Sequence, residues 1–446
     1  MVDESIFKAY DIRGVYPDEL DEDAAYLIGR AFVCFLGCKE VVVGQDMRKS
    51  SPSLFASLTK GMTDQGADVI DIGHCDTPFF YFCTAKYETG IMVTASHNPA
   101  KYNGFKFCRD GTIPIGGDSG MEDIKRLAVK GKFPEAKKKG NITKKDMMQD
   151  FIAHNLKFLN TKVKGKRLKI VIDTGNGMGG LTFPKVFKNV DVDLVPLYFD
   201  IDMSFPNHEA NPLKLENVKD LQKLVVKEKA DFGVSIDGDC DRCVFIDEKG
   251  DYVSSDFATA LIAKQLLKTH KKALFLYDLR SSWAVKEFIE DNGGKTKMCR
   301  VGHAFIKAQM RKEDALFAGE LSGHLYFKES VWAESTIIST ILMINMLREE
   351  NKSLSALVSP LKKYFASGEI NSEVKDKEAK MKELVAMFKK EANSVSYLDG
   401  IRLEFDDWWF NVRASNTEPL LRLNLEAKTK RKMEEMRDKL LEIIRK

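Results

Sequence analysis

An apolar, β-branched run that ends in an acidic residue, crosses a polar turn and enters a helical pattern occurs three times in this chain of 446 residues. The first copy is Val41-Val42-Val43-Gly44-Gln45-Asp46, followed by Met47-Arg48-Lys49-Ser50-Ser51 and an amphipathic stretch over 54–62. The second is Ile170-Val171-Ile172-Asp173, followed by Thr174-Gly175-Asn176-Gly177-Met178-Gly179-Gly180. The third is Leu274-Phe275-Leu276-Tyr277-Asp278, followed by Leu279-Arg280-Ser281-Ser282 and a helix through 290. Each leads to another strand pattern, at 68–72, 192–199 and 295–299. Strand, helix and strand with short joins admit few arrangements, because parallel strands need a crossover and crossovers are right-handed. Copies about 100–130 residues apart predict three α/β domains of similar plan, with mixed sheets.

The C-terminal part differs. Charged helical patterns at 375–390 and 428–445 flank alternating strand patterns at 400–405, 408–412 and 420–426. That order predicts a smaller, antiparallel α+β fourth domain. The expected divisions are 1–146, 147–250, 251–366 and 367–446, with linkers in the Lys-rich stretch 137–145, at Glu248-Lys249-Gly250 and at 365–369. At roughly 150 residues per domain the length allows three or four.

Composition narrows the function class. With 44% hydrophobic residues the chain can fill several cores, so disorder is excluded as its main state. Lys and Arg number 69 against 66 Asp and Glu, a net charge of +3 without the large clustered excess of a nucleic-acid binder. Nucleic acid is therefore not an expected partner. The longest apolar run, 336–347, is broken by Ser339, Thr340 and Asn345; it reads as a buried helix, and no membrane association is expected. The opening Met1-Val2-Asp3-Glu4-Ser5 is acidic and lacks a secretory core, so a cytoplasmic setting is expected. The eight cysteines include Cys240 and Cys243, but no second pair stands at zinc-ribbon spacing. His74, His154, His208 and His270 form no clustered metal pattern.

Four stretches carry chemistry. Thr94-Ala95-Ser96-His97-Asn98-Pro99 follows the strand pattern Ile91-Met92-Val93 and sets a hydroxyl beside an imidazole in a turn that can present a nucleophile. No G-x-S-x-G elbow supports a hydrolase triad. Asp237-Gly238-Asp239-Cys240-Asp241-Arg242 follows the strand pattern 232–236; carboxylates at i, i+2 and i+4 of an extended chain project to one side. At about 4 Å and an effective dielectric of about 20, each pair repels by on the order of 4 kcal/mol. A divalent cation removes that cost, and oxygen ligands favour Mg²⁺ or Ca²⁺. An EF-hand fails because Arg242 stands where the loop needs Gly and strand patterns flank it.

Gly319-Glu320-Leu321-Ser322-Gly323-His324 offers acceptors, a hydroxyl and an imidazole between glycines that allow close approach to a small polar ligand. Arg413-Ala414-Ser415-Asn416-Thr417-Glu418-Pro419, with Arg422 nearby, supplies the groups of a phosphate cradle. Arg13 in Lys8-Ala9-Tyr10-Asp11-Ile12-Arg13-Gly14, Lys106 in Asn103-Gly104-Phe105-Lys106, and Arg300 and His303 in Arg300-Val301-Gly302-His303 are further candidates. Taken singly, each stretch can also be read as an ordinary polar turn.

Taken together and in order, the four motifs resemble those of the α-D-phosphohexomutases, in the phosphomannomutase/phosphoglucomutase group. The likeness covers nearly the whole length, one motif per expected domain. It implies four domains around a central cleft and an isomerase that moves a phosphoryl group between O1 and O6 of a hexose phosphate. Ser96 would be the phosphoserine, with His97 beside it. Asp237, Asp239 and Asp241 would hold Mg²⁺ together with an oxygen on Ser96, and Arg242 would lie beside that phosphate. Glu320 and Ser322 would bind sugar hydroxyls, with Arg300 and His303 lining the substrate site. Arg413, Ser415, Asn416, Thr417 and Arg422 would clamp the phosphate that is not reacting. Arg13, Lys106 and His324 would serve proton transfer and charge stabilisation.

The resemblance further implies a hexose 1,6-bisphosphate, as activator and as an intermediate that turns end for end, and a monomer acting on small hexose phosphates. Thr94, Leu321 and Asn207-His208-Glu209-Ala210-Asn211-Pro212 resemble the mannose/glucose group over phosphoglucosamine mutases. Two departures, Ala333-Glu334-Ser335 in place of an Asp-containing turn and Trp283 in place of a frequent Arg, bear on local helix starts. The competing readings are a phosphoglucosamine mutase, a non-catalytic sugar-phosphate binding protein and a phosphatase.

Overall fold

The computed structural model describes residues 2–163, 165–414 and 420–446. Four sheets follow one another along the chain. In the first, the order is Ile12–Val15, Tyr102–Arg109, Gly90–Val93, Glu40–Gln45, Asp68–His74 and Ile142–Lys144, with Ile113–Pro114 beside Tyr102–Arg109. The second runs Tyr252–Val253, Cys243–Asp247, Phe232–Ile236, Leu168–Asp173, Val192–Leu197. The third runs Lys295–Cys299, Leu274–Asp278, Phe317–Gly319, Leu325–Phe327, Ala333–Glu334. All three mix parallel pairs around the β-branched runs with an antiparallel side.

The parallel pairs explain the unbroken apolar runs. Helices cover both faces, so Val41, Val42 and Val43 are all fully buried, as are Ile170, Val171 and Ile172. The fourth sheet is antiparallel, centred on Trp408–Ala414 paired with Leu420–Ala427, and it carries the helices Lys377–Phe388 and Lys430–Arg445 on a separate core. The chain therefore has four domains, three of α/β plan and a smaller α+β one.

All three expected linkers are built into sheets; in the stretch 365–369 the strand Phe365–Ala366 pairs with Leu420–Ala427 of the fourth sheet, ahead of the expected division at 367. The Lys-rich stretch contains the edge strand Ile142–Lys144, which pairs with Asp68–His74. Its row of backbone groups satisfies an otherwise open edge, although its exposed side chains give no apolar pattern. Glu248-Lys249-Gly250 is the hairpin turn between Cys243–Asp247 and Tyr252–Val253, so the last strand of the second sheet lies past the expected division at 250. The apolar run at 336–347 is a helix, Thr336–Glu350, buried on every side over that run. Ser335 caps it by accepting from Ile338 N–H, and Ser282 caps the helix Trp283–Asp291 through Ala284 N–H. Both departures from the family pattern thus still begin regular helices. No helix of the described residues is long and apolar enough to cross a membrane.

In the first domain the helices Glu22–Leu36 and Ser51–Asp64 pack almost backbone to backbone. A Cβ on Gly29 would lie 2.2 Å from the Leu58 carbonyl oxygen, and one on Gly61 would lie 2.1 Å from that of Tyr26. Neither distance tolerates a methyl group, so the helices would have to part. We expect Gly61→Ala to destabilise the first domain by about 1–3 kcal/mol. Calorimetry should show a lowered transition for it, and none for Lys60→Ala on the exposed face next to it.

Candidate active site

Ser96 leaves the strand Gly90–Val93 in a left-handed conformation, φ 51°, which costs a side-chain-bearing residue on the order of 1–3 kcal/mol. Several contacts hold it there. Thr94 Oγ1 accepts from Ser96 N–H at 3.0 Å. Buried Arg48 donates to the carbonyls of Ser96 and Asn98, both at 2.8 Å, and to those of Pro99 and Tyr102. Arg13 donates to the Ala95 carbonyl at 3.1 Å and to Asn98 Oδ1 at 2.6 Å. Asp46, at the end of the first β-branched run, orients Arg48 through its Nε at 3.1 Å. The Ser96 hydroxyl is thereby presented to the second domain, where it donates to Asp237 Oδ2 at 3.3 Å. It also lies 3.3 Å from His97 Nδ1.

Asp237, Asp239 and Asp241 are buried, and one oxygen from each falls within 4.8 Å of the others. They do not converge by alternation along an extended strand, as expected. The chain turns between Phe232–Ile236 and Cys243–Asp247, with Cys240 at φ 65° and Cys240 N–H donating to the Asp237 carbonyl. The turn is needed because an antiparallel partner follows at once, and a hairpin end gathers side chains more tightly than a pleat does.

The trio meets donors from three domains. Lys106 Nζ donates to Asp239 Oδ2 and Asp241 Oδ2, each at 2.6 Å, and Thr77 Oγ1 donates to Asp239 Oδ2 at 2.7 Å. His324 Nε2 lies 3.4 Å from Asp241 Oδ1, and Arg242 Nε lies 3.8 Å from Asp237 Oδ2. Burial, with Asp241 and Asp239 adding, pushes the Asp237 carboxyl well up. Burial opposes the charge on Asp241 too, but Lys106 and His324 pull that carboxyl well down. Burial likewise opposes the Lys106 ammonium, and Asp239 and Asp241 more than offset it.

A cation suits this donor set. The ligand atoms are carboxylate oxygens, Asp239 Oδ1 accepts no hydrogen bond from any described residue, and an ammonium already bridges two of the three. Among the described residues these three form the group of His, Cys, Asp and Glu side chains close enough to share a metal ion. All eight cysteines are free; Cys240 and Cys243 are core residues.

A cavity of about 860 Å³ opens above Ser96. It brings together Arg13, Ser96, His97, Lys106, Asp241, Arg242, His303 and His324, with Tyr10 on its wall. Arg242, then burial, holds the His97 imidazole well below its usual value. Burial does the same to His303. Glu320 and Ser322 sit in the turn after Phe317–Gly319, against His324. Ser322 Oγ is 3.0 Å from His324 Nδ1, and Glu320 Oε2 is 3.3 Å from the same nitrogen. Burial works against the Glu320 charge, yet His324 and Arg280 keep it ionised.

Arg300 is not brought into this cavity. Its guanidinium stacks on Phe305 at 3.5 Å and faces a second cavity of about 610 Å³ on the other side of Tyr10. Arg413 and Arg422 are cross-strand neighbours in the fourth sheet. Ser415, Asn416 and Thr417 lie outside the described residues.

Four positions that contact candidate site residues escaped sequence reasoning: Arg48 on Ser96, Thr77 on Asp239, Arg280 on Glu320 and Glu369 on Arg413. Arg48 and Arg280 each stand two residues after the acidic end of a β-branched run, and both fold back on that acid. That shared spacing was the available signal. Thr77 and Glu369 had none, because their partners are distant in sequence.

Comparisons with known proteins agree along the whole chain. Models of the phosphoglucomutase/phosphomannomutase family match in succession: alpha/beta/alpha domain I over residues 4–135, domain II over 148–250, domain III over 254–364 and the C-terminal domain over 369–443. A phosphomannomutase of Vibrio cholerae is 40% identical over 436 residues, covering 95% of this chain and 94% of the relative. One of Methanocaldococcus jannaschii is 40% identical over 444 residues, covering 99% and 98%. The crystal structure of a phosphoglucomutase/phosphomannomutase family protein from Burkholderia thailandensis superposes with a TM-score of 0.91 at 31% identity, over 99% of this chain and 98% of that one. Four family domains in order, carried on full-length likeness to these relatives, make this chain a member of the phosphoglucomutase/phosphomannomutase family, isomerases of the phosphohexomutase class.

Proposed function

We propose that the chain interconverts the 1- and 6-phosphates of mannose and glucose through a phosphoserine at Ser96 and a hexose 1,6-bisphosphate that turns end for end. The observation that carries this reading is the 3.3 Å approach of Ser96 Oγ to Asp237 across the junction of two domains, at the floor of a cationic cavity. Asp237, Asp239 and Asp241 would hold Mg²⁺ with an oxygen of the phosphorylated Ser96. The ion, when bound, would neutralise charge on the phosphoryl oxygens.

The chain's own residues account for the rest. A sugar hydroxyl attacks the phosphorus on Ser96; the new P–O bond forms as the P–Oγ bond breaks, and the sugar proton is lost. Lys106 would take that proton while giving one to the departing Ser96 oxygen, and His324, a cation beside Ser322 and Glu320, which would orient the sugar hydroxyls, steadies the charge that develops. By that transfer the Ser96 oxygen leaves as a hydroxyl, and Arg13 offsets the charge that builds on it as the bond breaks. In the return step Ser96 attacks the other phosphate of the turned bisphosphate; the P–Oγ bond forms as that phosphate's bond to the sugar oxygen breaks, and Lys106 takes the serine proton while giving one to the sugar oxygen. His97 Nδ1, 3.3 Å from the hydroxyl, would orient it. Arg413 and Arg422, with Ser415, Asn416 and Thr417, grip whichever phosphate is not reacting. Phosphoryl transfer demands positioning and charge compensation above all, and the cavity offers both. Thr94 and Leu321 favour mannose and glucose over glucosamine, and the relatives named phosphomannomutase point the same way.

Ser96→Ala should abolish turnover of mannose 1-phosphate and glucose 1-phosphate in a coupled assay, leaving less than about a thousandth of the rate. Incubation with a hexose 1,6-bisphosphate should add one phosphoryl mass to the wild-type chain and none to this variant. Substantial residual activity would remove Ser96 as the nucleophile. Asp239→Asn should raise the Mg²⁺ concentration needed for half-maximal rate by about 10–100-fold. A Mg²⁺ titration of the initial rate reads this directly, and an unchanged midpoint would take Asp239 out of the metal site. In competition, glucosamine 1-phosphate should be the poorest of the three substrates by kcat/KM. A preference for it would shift the reading to a phosphoglucosamine mutase.

A further inference from the structure

Glu369 occupies an unexpected place. It follows Gly368, between the strands Phe365–Ala366 and Ile370–Glu373, both of which pair with Leu420–Ala427 in the fourth sheet. Its carboxylate stands among three guanidinium groups. Oε2 lies 3.5 Å from Arg280 Nη1 of the third domain and 3.6 Å from Arg413 Nη2; Oε1 lies 3.3 Å from Arg422 Nη1. Asn424 Nδ2 donates to it at 3.5 Å. A negative side chain thus sits where three arginines converge, two of them the arginines assigned above to phosphate.

The distances matter. Charge-assisted hydrogen bonds between guanidinium and carboxylate run at about 2.7–2.9 Å. Arg280 makes such a bond to Asp278, at 2.7 Å. Every contact of Glu369 is longer. It is shared among the three cations without being locked to any, and it remains 26% exposed, so another anion can reach the same groups. Buried Arg413 Nε has no hydrogen-bond partner among the described residues, which leaves a donor to spare.

We propose that Glu369 is a resident counter-anion of the phosphate clamp: it orders Arg280, Arg413 and Arg422 while the clamp is empty, and competes with the phosphate once it is filled. The inference rests on the clamp reading of Arg413 and Arg422 given above. The competition has a purpose in that reading. The bisphosphate must leave the clamp in every turnover and return with its other end. Three arginines facing a phosphate dianion with no internal carboxylate would hold it tightly and slow that exchange. With Glu369 present, part of what is lost on phosphate release is regained by the carboxylate. Glu369 is therefore a positioning residue that trades affinity for turnover.

The test separates charge from propping. In the full chain carrying Ser96→Ala, so that no transfer occurs, calorimetry with mannose 6-phosphate and with inorganic phosphate should give a Kd for Glu369→Gln about three- to tenfold lower than without it. With Ser96 intact, Glu369→Gln should lower KM and kcat together, and less bisphosphate should escape per turnover. Glu369→Asp, which keeps the charge, should follow the wild type. Weaker binding in Glu369→Gln, a raised KM at unchanged kcat, or identical behaviour of the Gln and Asp variants would overturn the proposal, since each means that Glu369 only supports the arginines sterically. Arg413→Ala checks the underlying reading separately. If it leaves mannose 6-phosphate binding unchanged, the clamp assignment fails; if it weakens binding while Glu369→Gln also weakens it, the clamp stands and the counter-anion role falls. Unchanged thermal midpoints for the Glu369 variants exclude misfolding as the cause of either result.

Discussion

Three carboxylates shut away from water set the terms for the rest of the molecule. Asp237, Asp239 and Asp241 are almost wholly buried, and among the described residues of their own domain Arg242 is the cation near them. The remaining positive charge comes from elsewhere: Lys106 and Arg13 from the first domain, His324 from the third. A buried charge left without its partner costs about 3–5 kcal/mol, whereas an exposed ion pair contributes roughly 0–1 kcal/mol. The many surface pairs of this chain therefore decide little about how its domains meet. The acidic turn decides a good deal, because it is satisfied only when the first and third domains close on the second. Thr77 adds to this by donating both its hydroxyl and its backbone N–H to Asp239.

The same acidic turn receives the Ser96 hydroxyl. Ser96 would be a poor choice for a left-handed turn residue on conformational grounds, since Asn, Asp or Gly occupies that region at lower cost. It is kept there by the carbonyl-binding fan of Arg48, whose charge is balanced by Asp46 and whose guanidinium is sealed beneath the loop. The structure thus holds a strained nucleophile candidate from below with one arginine and faces it from above with the acidic trio.

How much of this was legible depended on the range of the interaction. The β-branched runs, their acidic ends and the following helices are local, and each appears as a parallel strand pair with a crossover. The four motifs were legible because each is contiguous in the sequence, and the loops at 94–99, 237–242 and 319–324 do meet. Contacts between distant residues were not legible: nothing near Thr77 in the sequence points to Asp239, and nothing near Glu369 points to Arg280. Periodicity also misled where a turn replaced a strand. Alternation correctly placed three carboxylates together but gave the wrong backbone, because it takes no account of the hairpin partner that begins at Cys243. Charge misled in the same way at Ile142–Lys144, where an exposed, Lys-rich stretch pairs at a sheet edge through its backbone alone. Arg300 shows the limit of proximity in sequence: three residues from His303, it faces the other side of Tyr10.

Arg280 ties the two ends of the site into one electrostatic unit. Its guanidinium lies on Asp278 at 2.7 Å, 3.5 Å from Glu320 and 3.5 Å from Glu369. One cation is thus shared between the turn that carries Glu320 and the segment of the fourth sheet that carries Glu369. A charge entering near Glu369 changes how strongly Arg280 is drawn toward Glu320, and the reverse holds equally, since linkage between two sites through one group is reciprocal. A substrate that presents a phosphate at one end and hydroxyls at the other would be sensed at both ends by the same guanidinium. That arrangement suits a ligand read in two opposite orientations, because it rewards the simultaneous presence of an anion at one end and a polar ring at the other without specifying which carbon bears which group.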